Sequence, residues 1–169
     1  MTAKGIQLII VGIFFSIIRC NGQIKKDNYW ITNECTRSIP KAIVKKNKVQ
    51  NWSFSIDSIR GIGFEKAYFS NDIQLTIENK GCEYYWVEFT FNQSLGTDAK
   101  SQSLKLVDLL KILKNNTNAP FNYDAAITII FTEYERLKPG AIIDIDEMEK
   151  FEILRISENT KVAFYIGPL

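Results

Sequence analysis

The sequence predicts an α+β domain: an antiparallel β-meander, two helices packed on one of its faces, and a C-terminal β-hairpin. Three observations carry this. Apolar and polar residues alternate with period two from Trp52 to Phe91, a leucine stripe with helical spacing runs from Leu106 to Leu113, and the alternation returns between Phe151 and Ile166. Strands, then helices, then strands, without a repeating βαβ pattern, place the helices together on one face of an antiparallel sheet.

Residues 1–22 read as a signal peptide. Lys4 opens it, Ile6 to Ile18 is apolar apart from Gln7, Gly12 and Ser16, and Arg19-Cys20-Asn21-Gly22 closes it. The apolar run holds 13 residues. At ~1.5 Å per residue it falls short of a ~30 Å hydrocarbon core, which favours a removed signal over a permanent anchor. Cleavage is expected after Gly22, with Cys20 and Gly22 as the small residues the peptidase requires. Two alternatives stand beside it: acylation of Cys20 as a lipoprotein, against which Arg19 speaks, and an uncleaved anchor. The protein is therefore expected to be exported, periplasmic or secreted, and free of the membrane unless lipidated at Cys20.

Residues 23–169 are expected to form a single α+β domain. Removing the leader changes the charge. Lys4 and Arg19 leave with it and no acid does, so the 21 basic residues fall to 19 and match the 19 acids. A chain without net charge has no global field to draw in nucleic acid. Lys25 to Lys48 is locally basic and Glu133 to Glu152 locally acidic, as solvated loops and edges are. After cleavage Cys35 and Cys82 are the two remaining cysteines, and an oxidising compartment pairs them in a disulfide; the alternative is two free buried thiols. Closing a loop of about 48 residues stabilises by ~4 kcal/mol in chain-entropy terms.

Residues 23–50 read as an irregular polar approach, pinned by Tyr29, Trp30 and Ile31, with an exposed turn at Lys45-Lys46-Asn47-Lys48. Trp52, Phe54 and Ile56 alternate with Ser53, Ser55 and Asp57 as a strand, which Arg60-Gly61-Ile62-Gly63 breaks. Glu65 to Phe69 makes a second strand and Ser70-Asn71-Asp72 a turn. Ile73 to Ile77 and Cys82 to Phe91 form a hairpin about Asn79-Lys80-Gly81. With Gly81 left-handed, Leu75 faces Tyr85 and Ile73 faces Val87. One face then carries Tyr85, Val87, Phe89 and Phe91, and the other Cys82, Tyr84, Trp86, Glu88 and Thr90.

Ser101 or Ser103 caps a helix reaching about Lys114, with Leu106, Leu109, Leu110 and Leu113 on its buried stripe. Ile127, Ile130, Phe131, Tyr134 and Leu137 have helical spacing behind Asn122 or Asp124 as cap. The β-branched run from Ile127 to Thr132 would suit a strand, but the stripe persists to Leu137 and Pro139-Gly140 stops it, which selects helix. A short strand at Ala141 to Ile145 precedes the final hairpin of Phe151 to Ser157 and Thr160 to Ile166.

The chain has no histidine. Ser-His-Asp and Cys-His nucleophilic machinery, His proton shuttles and His-bearing zinc sites are therefore not available to it. Neither GxxxxGK(S/T) nor GxGxxG occurs, and two distant cysteines do not make a zinc site, so no cofactor or metal is expected. Asp144, Asp146, Glu147 and Glu149 lack the spacing and mid-loop glycine of a calcium loop and read as a solvated acidic turn. Glu83 and Glu88 fall on opposite strand faces and do not pair. Glu88 shares its face with Tyr84 and Trp86. An aromatic-walled carboxylate of raised pKa, with Glu65 or Glu78 as its partner, is what a glycosidase requires; the plainer reading is a solvated strand glutamate.

These features point to an exported small binding protein without catalytic machinery, such as an inhibitor or immunity-type protein against an extracytoplasmic enzyme. Its partner is expected to be a protein, met through Tyr84, Trp86 and Glu88. The alternatives are a carboxylate-dependent hydrolase acting on a cell-wall or extracellular polysaccharide, and a structural envelope protein or lipoprotein.

Overall fold

A computed structural model of the chain describes residues 24–26, 29–31, 36–69, 72–80, 85–136, 138–155 and 157–167. The expected signal peptide, Cys20, the expected Cys35–Cys82 pairing, Gly81, Glu83 and Tyr84 lie outside the described residues.

Residues expected to be irregular carry three short strands, β1 (Ile24–Lys26), β2 (Tyr29–Ile31) and β3 (Thr36–Ser38), paired antiparallel in the order β1-β2-β3. The central strand is the Tyr-Trp-Ile triplet, whose aromatic and β-branched residues favour extended backbone. A second sheet of seven strands follows: β4 (Asn51–Asp57), β5 (Ile62–Tyr68), β6 (Gln74–Lys80), β7 (Tyr85–Phe91), β8 (Ala141–Asp144), β9 (Glu149–Arg155) and β10 (Thr160–Ile166). Their order is β4-β5-β6-β7-β10-β9-β8, antiparallel throughout. The sheet is thus two meanders joined where β10 pairs with β7. Helices α1 (Ala99–Asn116) and α2 (Tyr123–Thr132) occupy the connection between them. They carry the chain to the far edge, from which β8, β9 and β10 wind back to the seam.

Both helices pack on one face. Leu106, Leu110 and Leu113 of α1 and Ala126 and Ile130 of α2 are fully buried against Leu75, Val87, Phe89, Phe91, Phe151 and Phe164. Phe121, between the helices, sits at the seam. It stacks on Phe164 at 4.7 Å and on Tyr85 at 5.5 Å, and meets the ring edges of Phe89 and Tyr123 at 6.2 and 6.1 Å. Each such ring contributes roughly 1.5–3 kcal/mol by burial.

The structure corrects four details of the sequence reading. In the β6–β7 hairpin Leu75 faces Phe91, Ile77 faces Phe89 and Lys80 faces Trp86. Leu75 therefore pairs six positions beyond Tyr85, and Asn79 and Lys80 belong to the strand and not to its turn. Six is even, so every side chain keeps its expected face.

Helix α1 begins one turn before Ser101. Asp98 is the cap, accepting from the Ser101 N–H at 2.9 Å, while the Ser103 hydroxyl donates to the Lys100 carbonyl. A carboxylate there also suits the positive end of the helix. Asn122 caps α2 as expected, accepting from the Ala125 N–H at 3.1 Å, but the α-helix stops at Thr132 and a 3-10 turn follows at Tyr134–Arg136. Its buried stripe is Tyr123, Ala126 and Ile130, whereas Phe131 and Tyr134 are exposed. The stacking of Phe121 and Tyr123 on the sheet sets that phase, and burial overrides the strand preference of the β-branched run.

Gly63, read as part of a strand break, lies within β5. A Cβ there would stand 2.7 Å from Pro40 Cβ and 3.3 Å from the Phe54 ring. The glycine admits residues 39–50 close against the sheet. Glu65, fully buried one side-chain step along, holds them: its carboxylate accepts from Ile43 N–H (2.5 Å), Val44 N–H (3.1 Å) and the Trp52 indole N–H (3.0 Å). The turn of β4 into β5 is made by Gly61, at φ 67°, and by Asp57, whose carboxylate accepts from the backbone of Ile59 and Arg60 at 3.0 Å each.

Candidate functional site

The face turned away from the helices is built in rows across the strands, because antiparallel register places alternate residues side by side. Lys66, Thr76, Thr90 and Lys161 form one row. Phe64, Glu78, Glu88, Ala163 and Glu152 form the next, and Lys80, Trp86, Tyr165 and Lys150 the third. Cation and hydroxyl, carboxylate, and cation with aromatic thus succeed one another along the strands.

Glu78 and Glu88 stand directly opposite each other. Like charges in that position repel, and two ammonium groups from the flanking rows remove the repulsion. Lys80 Nζ lies 3.1 Å from Glu78 Oε2 and 2.7 Å from Glu88 Oε2. Lys161 Nζ lies 2.5 Å from Glu88 Oε2 and 3.9 Å from Glu78 Oε1. The result is a square of two carboxylates and two ammoniums with no net charge. Trp86 borders it. Its ring lies 5.0 Å from the Lys80 ammonium and stacks on Tyr165 at 5.5 Å, and the Tyr165 hydroxyl donates to Glu152 Oε2 at 2.6 Å.

Glu88 is 5% exposed. Burial pushes its carboxyl up, but the hydrogen bonds and charges of Lys161 and Lys80 outweigh this and hold it below its usual value of 4.5. Burial pulls Lys80 down, and Glu88 and Glu78 more than compensate, raising it above its usual 10.5. Both groups stay ionised across the neutral range. Of the two readings set out for Glu88, the solvated strand glutamate does not hold, since the residue is buried, and a carboxylate kept ionised between two ammoniums is poorly suited to the raised-pKa acid.

Its proposed partners separate. Glu78 shares the face, whereas Glu65 lies on the helix side and is committed to three donors. Glu149, expected in a solvated turn, is buried on that same side, where its Oε1 accepts from the Asn122 N–H at 2.8 Å. Burial pushes Glu149 up, and Asp146 adds to the rise against the opposing Asn122 N–H. Asp146 instead uses Oδ1 to accept from the Met148 and Glu149 N–H groups at 2.7 Å each. Among the described residues no three Cys, Asp or Glu side chains gather as a metal site.

Trp86 and Glu88 of the expected surface are together on this face, and Tyr84 is outside the described residues. Lys80, Lys161 and Tyr165 were missed by the sequence reading. Alternation along β10 does place Lys161 and Tyr165 on one face; that β10 lies beside β7 is not written in either strand. Chemically the face offers fixed charges of both signs next to a stacked aromatic pair. No protein-family profile, curated protein or solved structure matches this chain.

Proposed function

We propose that the protein is exported and works by binding a protein partner through the face around Trp86 and Glu88, as an inhibitor or immunity-type protein against an extracytoplasmic enzyme does. The observation that carries this reading is the Glu88 square. Its four charges are held in one geometry, its carboxylate is ionised, and Trp86 and Tyr165 stack beside it. A preorganised charge pattern beside rigid aromatics suits recognition, since complementary charge confers specificity and Trp and Tyr supply contact area at low entropic cost. It does not suit glycoside hydrolysis, which needs one carboxyl protonated. Tyr84 belongs to the proposed surface by its place in the sequence alone.

The test uses the exported protein in two assays. In the first it is titrated against muramidases and other extracytoplasmic hydrolases. Stoichiometric inhibition is expected, weakened at least about tenfold by Trp86→Ala and by Glu88→Ala. In the second, reducing ends are measured on cell-wall and extracellular polysaccharides. Turnover abolished by Glu88→Gln would replace the binding reading with the hydrolase. Intact mass of the same sample reports the address: a start at Gln23, with Cys35 and Cys82 oxidised, is expected, and an acylated Cys20 would make it a lipoprotein.

A further inference from the structure

Among the described residues strand β8 ends the seven-stranded sheet and pairs with β9 alone. The bond from Ile145 N–H to the Glu149 carbonyl, 2.8 Å long, sets the phase of that ladder. Hydrogen-bonded and non-bonded residues alternate along an antiparallel pair. Ile143, opposite Phe151, therefore bonds inward, and the backbone groups of Ile142 and Asp144 point off the sheet edge. Ile142 is 58% exposed. Alongside runs a groove of about 630 Å³, walled by β8 on one side and by Ile129, Glu133, Glu135 and Lys138 on the other. That second wall is the end of α2 and the turn after it. The lining sets Glu133, Glu135 and Asp144 against Lys138, with Lys150 3.5 Å from Asp144, and Asp146 and Glu147 lie exposed just beyond.

We propose that this edge takes up an extended segment of a partner protein as an eighth strand, one that alternates apolar residues with lysine or arginine. Edge N–H and C=O groups supply the register, as in other strand additions, and side chains on the two faces of the added strand supply the choice. Its cations, on the helix side, meet Glu133 and Glu135, and its apolar residues, on the opposite face, meet Ile142. A second copy of this chain fits less well, because edge-to-edge pairing sets one acidic edge against another. This proposal stands apart from the reading of the Trp86 face, and either can fail without the other.

The experiment measures fluorescence anisotropy of a labelled heptapeptide alternating valine and lysine, and of its valine–glutamate counterpart, with the purified protein. The lysine peptide is expected to bind and the glutamate peptide is not. Ile142→Pro, which removes an outward N–H, is expected to weaken binding about tenfold while leaving the ladder to β9 intact. Glu135→Lys, an exposed change outside the sheet, is expected to weaken it to a similar extent, and rising salt to weaken the wild type. Absence of binding, equal binding of the two peptides, or binding indifferent to both variants would overturn the proposal. So would a protein dimer that Ile142→Pro dissolves, which would assign the edge to a second copy.

Discussion

Glu65 and Glu88 are both buried in one seven-stranded sheet, on opposite faces, and different donors satisfy them. Glu65, on the helix side, accepts from two backbone N–H groups and an indole. Glu88, on the far side, lies between two ammonium groups whose side chains are 20% and 22% exposed. Buried backbone N–H groups have no alternative once the carboxylate is gone, so Glu65 acts as a clamp on the backbone at Ile43 and Val44. Lysine side chains can swing to water, so losing the Glu88 carboxylate leaves its two ammonium groups able to be solvated and costs less. One face is therefore held by donors fixed in the fold and the other by mobile charged side chains.

The largest expected effect is on the clamp. Glu65→Ala strands two buried backbone donors and a part-buried indole and is expected to destabilise the protein by about 3 kcal/mol or more, read as a drop in the urea midpoint. A cost below that of Glu88→Gln would erase the distinction between the faces. Gly63→Ala comes next, at about 2 kcal/mol, because the new methyl meets Pro40 Cβ at 2.7 Å, an atom of a rigid ring and not the far end of a flexible side chain. An alanine tolerated there would show that residues 39–50 are not held tightly to the sheet.

The smallest effect belongs to the far face and depends on pH. Glu88→Gln is expected to cost about 1–2 kcal/mol at pH 7. Because the folded pKa of Glu88 is depressed, its contribution is fully present above the unfolded value near 4.5 and is lost as pH falls through the lower folded value. Wild type and variant should therefore converge in acid. The raised pKa of Lys80 runs the other way: its contribution is present below 10.5 and is lost as pH rises through the higher folded value. Glu149, also raised, is common to both proteins and cancels in the difference. A gap between the two proteins that persists in acid would separate the cost of Glu88→Gln from its charge.

How much of this was legible in the sequence varies by element. Faces were, because alternation with period two reports them directly: Trp86 and Glu88 were placed on one side and Phe89 and Phe91 on the other. The phase of α2 was not, since its apolar residues offer more than one stripe and the ring stack of Phe121 and Tyr123 selects one. Gly63 reads as a break wherever its neighbours in space are unknown. Glu65 and Glu149 look like solvated acids in sequence, and become structural only when distant backbone N–H groups are brought to them.

By itself the sequence determined the α+β class, the order of strands and helices from Asn51 onward, and which residues share a face, because these follow from local spacing within single elements. The tertiary structure decided the register of β6 on β7, the junction of β7 with β10, and hence the meeting of Glu88 with Lys161 and of Trp86 with Tyr165. The physical reason is a degeneracy. Sliding a strand by an even number of residues preserves every face, so alternation cannot choose among registers, and no local pattern tells a strand which distant strand lies beside it. Packing of the two helices over the seam makes that choice.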